Sequence, residues 1–68
     1  MTVQDIAALT EVIRKTAEQG DYEVAHGMED TMLVKVLTAI ANGQGDSPYL
    51  LARAALQSQR ITFARHCA

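Results

Sequence analysis

Two ionisable residues interrupt the apolar side of the longest helix this sequence can form. At about 100° per residue, Tyr22, Ala25, Met32, Leu33, Val36, Leu37 and Ile40 share one broad helical face, with Glu29 near its middle and His26 beside it. A carboxylate withdrawn from water must find a partner or neutralise. The fold therefore has to bring a donor to Glu29, or leave that face open as a site. In one reading, Glu29 and His26 form a buried hydrogen-bonded pair, joined by Arg60, Arg65 or Tyr22, that sets the register of helices or subunits. In another, Tyr22, His26, Glu29 and Asp30 line an open polar notch for a ligand or for a partner's basic residue. In a third, His26, with Glu29 at i+3 and Asp30 at i+4, supplies ligands to a metal. That order reverses the Glu-x-x-His spacing of di-metal helical bundles, and a homodimer would have to double the set. All three readings place the same residues at an interface, so the candidate binding residues are Tyr22, His26, Glu29, Asp30, Leu33, Arg60, Phe63 and Arg65.

The flanking segments predict an all-α fold. From Val3 to Ala17, Ile6, Leu9, Val12, Ile13 and Ala17 recur at steps of three and four, opposite Glu11, Arg14, Lys15 and Glu18. Thr2 with Asp5 resembles a capping box, Glu11 stands four residues before Lys15, and Gly20 is a natural stop. Asp21 is placed to cap a second helix from Tyr22 to about Ala41, ended by Asn42-Gly43. So short a turn predicts antiparallel packing. Ser47 as cap and Pro48 at the first helical position open a third helix, expected to turn Tyr49, Leu51, Ala52, Ala55 and Leu56 inward and Arg53 and Gln57 outward, and to fade near Ser58. The tail from Arg60 is expected to pack as an extended or irregular arm anchored by Ile61 and Phe63. The predicted architecture is one domain over residues 1–68: a long antiparallel helical hairpin, a short third helix and a C-terminal arm.

Gly27, inside the second helix, costs about 1 kcal/mol relative to alanine. Either another backbone approaches closely there, or the glycine is merely tolerated on the polar side. Met28 and Met32, one turn apart, are either ordinary core or an adaptable contact stripe.

A 68-residue chain buries only about 60% of its unfolded surface, so its core is small. Such chains add disulfides, a metal or self-association, and a lone cysteine, Cys67, makes no internal bridge. That leaves self-association or a metal, and a homodimer is expected. Six Lys and Arg against eight Asp and Glu, a net charge of −2, argue against a general grip on nucleic acid. The opening Met1-Thr2-Val3-Gln4-Asp5 is neither a basic leader nor an apolar signal core, and no window approaches 18 apolar residues. No membrane partner and a cytoplasmic location are expected. The His66-Cys67 pair suggests an activated thiol, but no Asn or Asp is placed to orient the histidine, and there is no serine elbow or phosphate-cradling loop. Neither catalysis nor a cofactor is expected.

Asp21, Ala25-His26, Glu29-Asp30, Val36-Leu37, Ile40-Ala41 and Gly43, then Leu51-Ala52, Ala55-Leu56 and Ile61-Thr62-Phe63-Ala64-Arg65, resemble a group of small uncharacterised helical proteins of bacteriophages and prophages. In that group the end reads Arg-Trp-Cys or Arg-Trp-Tyr. Here it reads Arg65-His66-Cys67, without the aromatic anchor. The resemblance implies a phage-type accessory protein and carries no active residues. The expected function is a noncatalytic interaction module that binds and modulates a host regulatory or defence component. The alternative is a nucleotide-binding or divalent-metal-binding protein that uses Tyr22, His26, Glu29 and Asp30, with Arg53, Arg60 or Arg65 converging on phosphate.

Overall fold

Helix boundaries in this chain are set by short-range chemistry at almost every terminus. The computed structural model describes residues 1–65, which form α1 (Val3–Glu18), α2 (Tyr22–Ala41), α3 (Pro48–Leu56) and a closing 3-10 turn, Gln57–Arg60. The expected all-α three-helix domain is thus what the chain adopts, with no strand among the described residues. Thr2 caps α1 through a reciprocal box: its hydroxyl accepts the Asp5 N–H at 3.1 Å, and the Asp5 carboxylate accepts the Thr2 N–H at 2.9 Å. Glycine closes both long helices. The Gly20 N–H donates to the Ala17 carbonyl and the Asp21 N–H to Thr16, while Gly43 and Gln44 donate to Ile40 and Ala39. This closure requires the left-handed conformation that Gly20 and Gly43 adopt, at φ of +85° and +64°.

Two expected caps are not made. Asp21 stands at the N-cap of α2, but its carboxylate forms no capping bond. The same residue completes the α1 closure, which holds its backbone at φ −84°, ψ 63°, far from the extended ψ of 166° that aims the Thr2 side chain back at its helix. Ser47 also makes no side-chain cap, and α3 instead begins with Pro48, which has no N–H to satisfy. On the surface of α1, Glu11 pairs with Arg14 rather than Lys15, because Arg14 lies between Glu11 and Glu18 and engages both.

Thr10 reaches the Met32 sulfur and Thr16 the Met28 sulfur, both at 3.6 Å. Rising numbers on α1 meet falling numbers on α2, so the hairpin is antiparallel as expected. α3 lies against both helices, and the three enclose a core of Ile6, Ile13, Ala17, Ala25, Met32, Val36, Ala39, Leu51 and Ala55. Ile61 and Phe63 of the arm pack against it, as the sequence predicts.

The buried arc is narrower than the sequence pattern suggests. Leu37, Tyr49 and Leu56, expected inside, are 64%, 68% and 62% exposed; Ala52 is also exposed, as are Val12 and Tyr22. Three helices cover only the sector of each that faces the other two, and small Ala39 and Ala55 lie buried in that sector. The larger aliphatic side chains flank it.

The end of α1 is also tied to the α2–α3 loop. Asp46 accepts the Val3 N–H at 2.8 Å and donates its own N–H to the Met1 carbonyl at 3.1 Å. Gly45 makes this possible: a β-carbon there would lie 1.9 Å from the Met1 oxygen, and its φ of +88° already suits glycine alone.

Candidate functional site

α2 carries Glu29 into the space that the arm closes. The glutamate is 2% exposed, and its partner is Arg65: Nε donates to Oε1 at 2.8 Å and Nη2 to Oε2 at 3.2 Å. This forked contact matches the planar guanidinium to the planar carboxylate. Arg65 is held in turn by the chain it belongs to. Its Nη2 donates to the Ser58 and Ile61 carbonyls at 3.2 and 3.1 Å, and its Nη1 to the Phe63 carbonyl at 3.4 Å. The guanidinium carbon lies 3.8 Å from the Phe63 ring centre, and that ring stacks on Tyr22 at 6.3 Å. Glu29, Arg65, Phe63 and Tyr22 thus form one continuous column from core to surface.

Burial alone pushes the Glu29 carboxyl up in pKa, and it is the largest single influence. The Arg65 hydrogen bonds, the Ser58 hydroxyl and the charges of Arg65 and His26 together reverse it, leaving the group below the ordinary glutamate value of 4.5. Ser58 is fully buried, and its hydroxyl has no partner at ordinary hydrogen-bond geometry among the described residues, although it lies near enough to Glu29 to add to the lowering. His26 is also buried, with Nε2 3.5 Å from the exposed Asp30 carboxylate.

Of the sequence candidates, the column gathers Tyr22, Glu29, Phe63 and Arg65, with His26 and Asp30 alongside. Arg60 is exposed and makes no bond to Glu29. Leu33 lies elsewhere, half-buried in a cleft between α2 and α3. The trio His26, Glu29 and Asp30 does not converge as a metal site: both Glu29 oxygens face Arg65, and no group of three or more His, Cys, Asp or Glu side chains suited to a metal occurs among the described residues. The arginines do not converge on a phosphate position either, since Arg53 lies 5.7 Å from the Tyr49 ring centre and Arg65 is committed to Glu29. The His66-Cys67 pair lies outside the described residues. Among those described, no helix is long and apolar enough to cross a membrane.

Sequence reasoning passed over two surface features. A groove of about 500 Å³ between α1 and α2 is lined by Leu9, Val24, Gly27, Met28, Met32 and Lys35. On the other flank of α2, a cleft of about 240 Å³ between Leu33, Leu37 and Ile40 and the α3 residues Ala52 and Leu56 has a wholly apolar lining. Gly27, read as a possible close approach, and Met28 with Met32, read as a possible contact stripe, are the sequence signals for the groove. No family model, curated protein or solved structure matches the chain.

Proposed function

We propose that this chain is a noncatalytic protein-interaction module, an accessory protein of phage type that binds and modulates a host protein. Its receiving surface is the groove between α1 and α2. The observation that carries this reading is Gly27. It sits in the sixth position of a 20-residue helix, where glycine costs about 1 kcal/mol, and no close contact among the described residues accounts for that cost: a β-carbon there would meet none of their atoms within 4 Å. A partner backbone approaching the groove would account for it.

The lining defines the partner. Met28 and Met32 give an adaptable apolar floor, and Lys35 at the edge makes no ion pair among the described residues. The fitting ligand is an amphipathic helix of another protein, apolar toward the methionines and acidic opposite Lys35. The polar column is left a structural part, since its carboxylate is already satisfied.

The test is affinity capture from bacterial lysate with the full chain and with Gly27→Leu, which adds bulk to the groove at a position where the β-carbon itself has open space. We expect a specific protein retained by the wild type and reduced about tenfold or more by Gly27→Leu, a loss of about 1.4 kcal/mol. Equal capture by both, or nothing retained above background by a folded bait, overturns the reading.

A further inference from the structure

We infer that the opposite flank of α2, facing α3, is where two copies of this chain pair. This inference is independent of the groove and of its partner.

The first argument is charge. Between Thr31 and Gly45 the only charged residue is Lys35, and it lines the α1 side of α2. On the α2–α3 side, Leu37 is exposed at the edge of the cleft beside the equally exposed Leu56. In a two-fold pairing, residues near the axis meet their own counterparts, so any charge there meets its like. Leu37 and the cleft lining are uncharged and free of that penalty, whereas the outer surface of α1, with Glu11, Arg14, Lys15 and Glu18, is not.

The second argument is shape. The cleft offers no hydrogen-bond donor or acceptor, so it selects an aliphatic ridge and nothing more polar. The chain carries such a ridge beside the cleft: Leu37 of one copy can enter between Leu33 and Leu56 of the other while its own cleft receives the same residue in return. The third argument is size. A stable interface takes about 800 Å² from each partner, of the order of the broad face of a molecule whose Cα extents are 35 × 20 × 14 Å.

Sedimentation of the full chain from about 1 to about 500 μM tests the inference. The weight-average mass should rise from 7.4 kDa toward twice that value. Leu37→Glu should hold it at the monomer value, and so should Leu56→Glu, which alters the facing helix if the first variant folds poorly. Val24→Glu, at an equally exposed position on the other flank, should associate like the wild type. A wild type that stays at 7.4 kDa throughout, or two glutamate variants that associate normally, overturns the pairing. Capture through Gly27 should survive Leu37→Glu, so failure of the pairing and failure of the host-binding reading give different results.

Discussion

Arg65 and Arg60 are five residues apart on the same arm, yet removing them should have very different consequences. Arg65→Ala leaves the Glu29 carboxylate buried without its counter-charge. Breaking one side of such a pair typically costs about 3 kcal/mol, and solvent access to a quarter of the Arg65 side chain trims this toward about 2. Arg60→Ala, at an exposed position, should change stability by less than about 0.5 kcal/mol. Urea titrations of the two variants check the contrast, and equal midpoints would show that the forked contact does not stabilise the fold. Acid should act on the same pair. Because the Glu29 pKa is lower in the folded chain than the ordinary 4.5, the unfolded chain binds more protons between those two values. Its contribution is therefore complete above about pH 4.5 and is lost as pH falls through the folded value. Glu29→Gln should melt below the wild type at pH 7, and the gap should narrow as the pH is lowered below 4.5. That Glu29 would be buried was legible from the wheel alone, since its neighbours one turn away on each side are Ala25, Met32 and Leu33. Which donor would reach it was not: Arg60, Arg65 and Tyr22 were equivalent in sequence, and the path of residues 61–65 decides among them.

At the scale of elements, the termini were the most legible part of the chain because their signals are local. Thr2 and Asp5, Gly20, Gly43 and Ser47-Pro48 all sit within a few residues of the helix ends they mark. The exception is the tie from Asp46 to Val3, 43 residues apart, for which no local pattern exists. It should nevertheless matter to α1. Asp46→Ala removes the acceptor for the first helical N–H and is expected to cost about 1 kcal/mol, in the range of a lost cap. Gly45→Ala should cost more, since it strains a left-handed backbone and drives a methyl group into the Met1 carbonyl. Amide hydrogen exchange separates these effects from general destabilisation: protection should fall first in the opening turn of α1 and last around Met32. Uniform loss along the chain would show that the loop does not hold that helix end. The inward faces were read too broadly for a related reason. Periodicity reports which residues are apolar, but the width of the buried arc depends on how many neighbours a helix has, and Leu37, Tyr49 and Leu56 fall outside the sector that two neighbours can cover.

For the molecule as a whole, the arm does two jobs that a three-helix core of this size cannot do alone. Ile61 and Phe63 extend the apolar packing past the end of α3, and Arg65 brings the charge that lets Glu29 stay ionised inside. A chain ending at Arg60 loses both together. The expected loss is therefore larger than for Arg65→Ala, adding about 1 to 3 kcal/mol for the two apolar side chains. A domain this small has only about 5 kcal/mol to lose, so the shortened chain should be largely unfolded at 37 °C. The decisive comparison is the same truncation carrying Glu29→Leu. If the arm were needed only as apolar cover, this change would recover little. If the orphaned carboxylate is the main liability, an aliphatic residue of similar size should return about 2 kcal/mol and a visible melting transition, because replacing a buried charge by a hydrophobe removes the need for its partner. In the full-length chain the same substitution should not stabilise to that extent, since it strands the Arg65 guanidinium against the core. Melting curves of the four chains, full-length and truncated with each residue at position 29, form a cycle whose coupling measures what the Glu29–Arg65 contact contributes beyond packing. A coupling near zero would mean that the buried acid and the arm stabilise the fold independently.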